Sequence, residues 1–95
     1  MTNYEIMFIM NPTSDEATRE QMLETVKEII ASDGEVGEIN DMGIKKLAYP
    51  IEKLNDGHYV VIEFKANPTL PKELDRRLRI SEHVMRHIII NKDEK

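Results

Sequence analysis

Two adjacent lysines followed by an aromatic and a proline, in Gly43-Ile44-Lys45-Lys46-Leu47-Ala48-Tyr49-Pro50-Ile51, are the residues of this chain best placed to do chemistry. That chemistry is the gripping of an anion. The run reads as a strand, and Pro50 has no backbone donor, so the strand pairs properly on one side and belongs at the border of its sheet. Other candidates carry less. His83 and His87 have the i, i+4 spacing of a helical metal pair, with Glu82 beside them. The Ile88-Ile89-Ile90 run that follows favours a strand, in which four residues span about 13 Å, too far for one ion. Ser14 and Ser32 fall beside expected helix ends and serve as caps, and no nucleophile-elbow, phosphate-loop or dinucleotide motif is present. The carboxylates lie mostly on solvated helix faces, and the chain has no cysteine. No catalytic residue, metal, cofactor or small-molecule substrate is therefore expected.

The elements that must position the lysines follow from periodicity. Residues 3–10 alternate so that Tyr4, Ile6, Phe8 and Met10 share one face while Glu5, Met7 and Ile9 share the other. After Asn11-Pro12, Thr13 and Glu16 have capping-box spacing for a helix to about Ser32. Its buried stripe is Ala17, Met22, Leu23, Val26, Ile29 and Ile30, and Gly34 is placed to close it in a left-handed conformation. On the outer face Glu16, Glu20, Glu24 and Glu28 form a ridge that repels phosphate. Residues 35–51 read as a long strand with Gly37 and Gly43 as candidate bulges, and Asn55-Asp56-Gly57 as a hairpin turn into a strand over 58–66. Pro71 opens a second helix lined by Leu70, Leu74 and Leu78, and residues 84–91 form the last strand.

The order strand, helix, strand, strand, helix, strand, with the proline-bearing strand on an edge, closes as an α+β, ferredoxin-like domain. Its four-stranded antiparallel sheet has order 4-1-3-2 and both helices on one face. Residues 1–91 make this single domain, and residues 92–95 a short charged tail expected to fray. The other sheet face stays open and presents Met7, Ile9, Tyr59 and Val61 beside Glu5, a surface suited to a protein partner.

Net charge is -5 at pH 7, which by itself speaks against nucleic acid. The distribution is lopsided: residues 1–40 hold nine acids and two bases, residues 41–95 nine acids and eleven bases. Such a molecule can dock on RNA in one orientation with its acidic side turned away. The cations available for phosphate are Lys45 and Lys46, with Tyr49, on the edge strand, Lys53 beyond Pro50, Arg79 at the end of the second helix and Arg86 on the last strand. Arg79 and Arg86 also have Asp75 and Glu82 within reach as surface-bridge partners. No apolar run approaches the roughly 20 residues that span a bilayer. Met1-Thr2-Asn3 lacks a secretory start, so no membrane is implied and cytoplasm is the default compartment.

Gly43 with Lys45-Lys46 and Leu47-Ala48-Tyr49-Pro50-Ile51 resembles the signature of the sixth protein of the bacterial small ribosomal subunit. The resemblance extends to Tyr4-Glu5-Ile6 and Asn11-Pro12 near the start, and to Leu78-Arg79-Ile80 and Val84-Met85-Arg86 near the finish. Thr2 departs from the Arg that family members often carry after the initiator Met. The resemblance implies a non-enzymatic structural role on the cytoplasmic ribosome: binding the central domain of small-subunit ribosomal RNA together with the eighteenth small-subunit protein, as a heterodimer. A basic partner would supply phosphate neutralisation that this acidic chain lacks. Base stacking in the manner of an RNA recognition motif is not expected, because Phe8 falls on the core face and the third strand lacks paired aromatics. The competing reading is a stand-alone oligomeric ferredoxin-like sensor or small enzyme, since the fold hosts such proteins.

Overall fold

The computed structural model describes residues 1–51 and 54–93, with backbone only for 48–51 and 54. Six elements follow in order: β1 (Thr2–Met10), α1 (Glu16–Ala31), β2 (Gly34–Ile51), β3 (Leu54–Ala66), α2 (Leu70–Arg79) and β4 (Val84–Asn91). The strands form one antiparallel sheet ordered β2-β3-β1-β4, the ferredoxin-like arrangement expected, with β2 at the border.

Alternation along the central strands builds the core. Tyr4, Ile6, Phe8 and Met10 of β1 stand opposite Phe64, Ile62, Val60 and His58 of β3, and all eight are buried beneath the helices. Tyr4 stacks on Phe64 with ring centroids 5.5 Å apart. From above, α1 contributes Met22, Val26, Ile29 and Ile30, and α2 contributes Leu70, Leu74 and Leu78 at four-residue spacing. Burying side chains of this size stabilises by roughly 1.5–3 kcal/mol each. Ala17, expected in the stripe, is exposed and takes no part in the core.

Several local expectations are corrected. Asp15, not Thr13, caps α1: its carboxylate accepts the Thr18 N–H at 2.8 Å. Thr13 is already engaged, since its N–H and hydroxyl both donate to Asn11 Oδ1 at 2.9 and 2.7 Å. Gly34 does not end the helix in a left-handed conformation. Ser32 caps α1 in the right-handed region, and Gly34 opens β2 opposite Ala66. The Asn55-Asp56-Gly57 run is strand rather than turn: Lys46 pairs with Asp56, Lys45 with Gly57, and the hairpin closes beyond, where Ile51 pairs with Leu54. Gly57 is needed there for space, because a Cβ would come within 2.4 Å of Ile9 Cγ2. The register shifts near Gly37 and Gly43 match the bulges expected, and Gly43 has φ of 74°. Asp41 Oδ1 holds the second bulge, accepting the Gly43 N–H at 3.0 Å and meeting His58 Nε2 at 2.6 Å. The start of the tail is tied down: Lys92 N–H donates to Asn3 O at 2.9 Å and the Asp93 carboxylate accepts the Asn3 N–H at 2.8 Å.

Gly34 tests how closely β2 packs on β3. A Cβ at this position would lie 2.2 Å from the Lys65 carbonyl oxygen, which belongs to backbone and cannot swing away. Gly34→Ala should cost about 1–3 kcal/mol in urea unfolding, and a variant as stable as the parent would show that this end of β2 is loosely held.

Candidate protein and nucleic-acid interfaces

Strand register sorts the open face into rows, because residues directly opposite each other project to the same side. Ile90, Glu5 and Glu63 form one row across β4, β1 and β3. Ile88, Met7, Val61 and Asn40 form the next, reaching β2. Arg86, Ile9, Tyr59 and Gly43 follow, and Gly57 with Lys45 ends the series. Asn3, Lys65 and Glu35 form a further row beyond Glu5 and Glu63, so the face runs from a charged end of mixed sign through hydrocarbon to Arg86 and Lys45.

Met7, Tyr59 and Val61, expected to form a partner surface, are half-exposed and contiguous here. Ile9 differs. It is only 6% exposed, because Ile9, Leu47 and Tyr59 converge in the space above Gly57. It supports the surface from beneath rather than presenting itself. The apolar area also includes two residues that the sequence reasoning missed, Ile88 and Ile90, 46% and 48% exposed. The Ile88-Ile89-Ile90 run signals a strand without saying which members face outward; only pairing of Ile89 with Ile6 sends its neighbours to the open side.

The cations expected on one RNA surface are distributed over several. Lys45 and Lys46 are exposed, but as neighbours in a strand they project to opposite faces, Lys45 with Gly57 and Lys46 with Asp56. Arg86 lies at the opposite border of the sheet, about 14 Å away across three strand spacings. Arg79 ends α2, which packs near β4, and its guanidinium pairs with Asp75 one turn earlier. Asp75 also meets His87 Nε2 at 2.6 Å, so His87 joins β4 to α2. Tyr49 lies in β2 with only its backbone described, and Lys53 lies outside the described residues. On the helix side, Glu16, Glu20, Glu24 and Glu28 are all exposed, as the ridge pattern requires. The β2 border is thus the part of the expected RNA surface that carries two exposed cations in succession, one on each face of the strand.

Comparison with known proteins agrees with this architecture. The family described as "Ribosomal protein S6" matches residues 3–91. Similar relatives include the small ribosomal subunit protein bS6 of Clostridioides difficile, 49% identical, covering 95% of this chain and 98% of that protein. The bS6 of Clostridium kluyveri is 50% identical over the full length of both chains. The crystal structure of 30S ribosomal protein S6 from Thermotoga maritima superposes with a TM-score of 0.91 at 34% identity, covering 97% of this chain and 88% of that one.

The Asp75 cluster has a pH signature. The hydrogen bond with His87, and then the charge of Arg79, hold the Asp75 carboxyl below its ordinary range. A carboxyl depressed on folding contributes stability above its unfolded value, about pH 4, and that contribution disappears as pH falls through the folded value. Asp75→Asn should therefore unfold more easily than the parent near pH 6, with the difference shrinking as pH falls below about 4. A difference that stays constant over that range would show that the carboxylate does not act through its charge.

Proposed function

The chain belongs to the ribosomal protein S6 family, and from that premise we propose that it enters the small subunit through two separate surfaces, one for protein and one for RNA. The family is a structural, non-enzymatic component of the bacterial ribosome in the cytoplasm, so the chain is a constituent of the small subunit rather than a sensor or enzyme. The open sheet face takes the eighteenth small-subunit protein, with Met7, Val61 and Tyr59 as contacts, Ile88 and Ile90 beside them and Ile9 in support. The β2 border, with Lys45 and Lys46, takes phosphates of the central domain of small-subunit ribosomal RNA, and Tyr49 and Lys53 extend that surface. Arg86 and Arg79 contact RNA only where it reaches the β4 side.

The observation that carries this division is the grading of the open face. Its apolar rows suit a protein, and its carboxylate row would repel phosphate. RNA contact is then left to the border lysines, and with a net charge of -5 the chain leaves most phosphate neutralisation to a basic partner.

Two variants separate the surfaces. Lys45→Glu with Lys46→Glu should weaken the ternary complex with RNA and the eighteenth protein more than tenfold, and lower its salt slope by about one to two. Unchanged affinity would move the RNA surface away from β2. Val61→Asp should abolish the heterodimer in gel filtration while leaving the melting temperature close to that of the parent, since the side chain is half-exposed. An intact heterodimer would show that the partner sits elsewhere.

A further inference from the structure

Glu5 and Glu63 stand directly opposite each other on the open face, where side chains leave their Cβ atoms about 5 Å apart and like charges destabilise the pair. Lys65 lies two residues further along β3 on the same face, and a second cation reaches Glu63 from beyond the sheet. Lys92, just past the end of β4, pairs through Nζ with Glu63. That hydrogen bond, with the nearby charges of Glu5 and Glu38, raises its ammonium above the ordinary lysine range. The bridge is at the surface, with side chains 41% and 36% exposed, so it is easily exchanged. Immediately beside it, one step along the strands, lies the apolar row of Ile88, Met7 and Val61.

We propose that Lys92 stands in for a cation of the protein partner. The open face accepts a polypeptide segment that lays an apolar side chain over Ile88, Met7 and Val61 and places an arginine or lysine about 7 Å further along the strands, between Glu5 and Glu63, displacing Lys92. This rests on the reading of the open face as the partner surface. Two carboxylates in one row suit the forked donors of arginine better than the point charge of lysine. RNA is not the occupant, because its phosphates would meet carboxylates. Displacement exchanges a solvent-exposed pair for one shielded by the partner, which adds to affinity where its hydrogen bonds repay the desolvation.

Calorimetric titration of the full chain with the eighteenth small-subunit protein tests this, using Lys92→Ala, Glu63→Gln and Val61→Asp, with the melting temperature of each variant confirming its fold. Lys92→Ala should bind roughly three- to tenfold more tightly at low salt, the advantage fading as salt screens it. Glu63→Gln should bind more weakly by a similar factor. Should Val61→Asp break the complex while Lys92→Ala binds no better than the parent, the displacement is wrong and the partner surface stands. Should the complex survive Val61→Asp, both are wrong.

Discussion

One strand, β1, imposes its alternation on the rest of the molecule. It pairs with β3 on one side and β4 on the other, and the helices cover only one face of the resulting sheet. Tyr4, Ile6, Phe8 and Met10 must therefore go under the helices, which leaves Glu5, Met7 and Ile9 on the outside. A slip of one residue would exchange the two sets and expose Phe8. Because β1 lies between two partners, its register also aligns the outward residues of β3 and β4 into common rows. The open surface is a consequence of how the core is packed.

Those rows give the surface a direction. Glu5 and Glu63 lie at one end with Lys65 and Lys92 beside them, aliphatic side chains in the middle, and Arg86, Tyr59 and Lys45 towards the other end. A docking chain meets different chemistry at each step of about 7 Å, which specifies orientation as well as affinity. Position along the strands also keeps the two surfaces distinct. The border lysines lie on β2, whereas the Glu63–Lys92 bridge lies towards the other end of the strands. Asp41 keeps β2 on course between them by holding the bulge at Gly43 against His58.

Much of this was legible in the residues. The alternation in β1, the leucines of α2, the bulge glycines and the edge strand marked by Pro50 are local patterns, and each appears in the structure where expected. Signals that several local structures could satisfy were misread. Thr13 with Glu16 has cap spacing, yet Asn11 competes for Thr13 and Asp15 takes the role. Asn55-Asp56-Gly57 has turn chemistry, yet cross-strand pairing with Lys45 and Lys46 keeps it extended and Gly57 makes room for Ile9. For the interface, Met7, Tyr59 and Val61 were readable from alternation, but the exposure of Ile88 and Ile90 and the burial of Ile9 were not.

By itself the sequence determined the elements, their order, the inward leucines of α2, most of the stripe of α1 and the family, because all of these are carried by spacing within a segment or by a run of neighbouring residues. Tertiary structure alone decided which residues stand side by side across strands: Glu5 with Glu63, Ile88 with Met7, and Lys45 and Lys46 on opposite faces of one border. The physical reason is that pairing joins residues far apart in the chain, and its register is set by how the whole apolar face is buried rather than by any local preference.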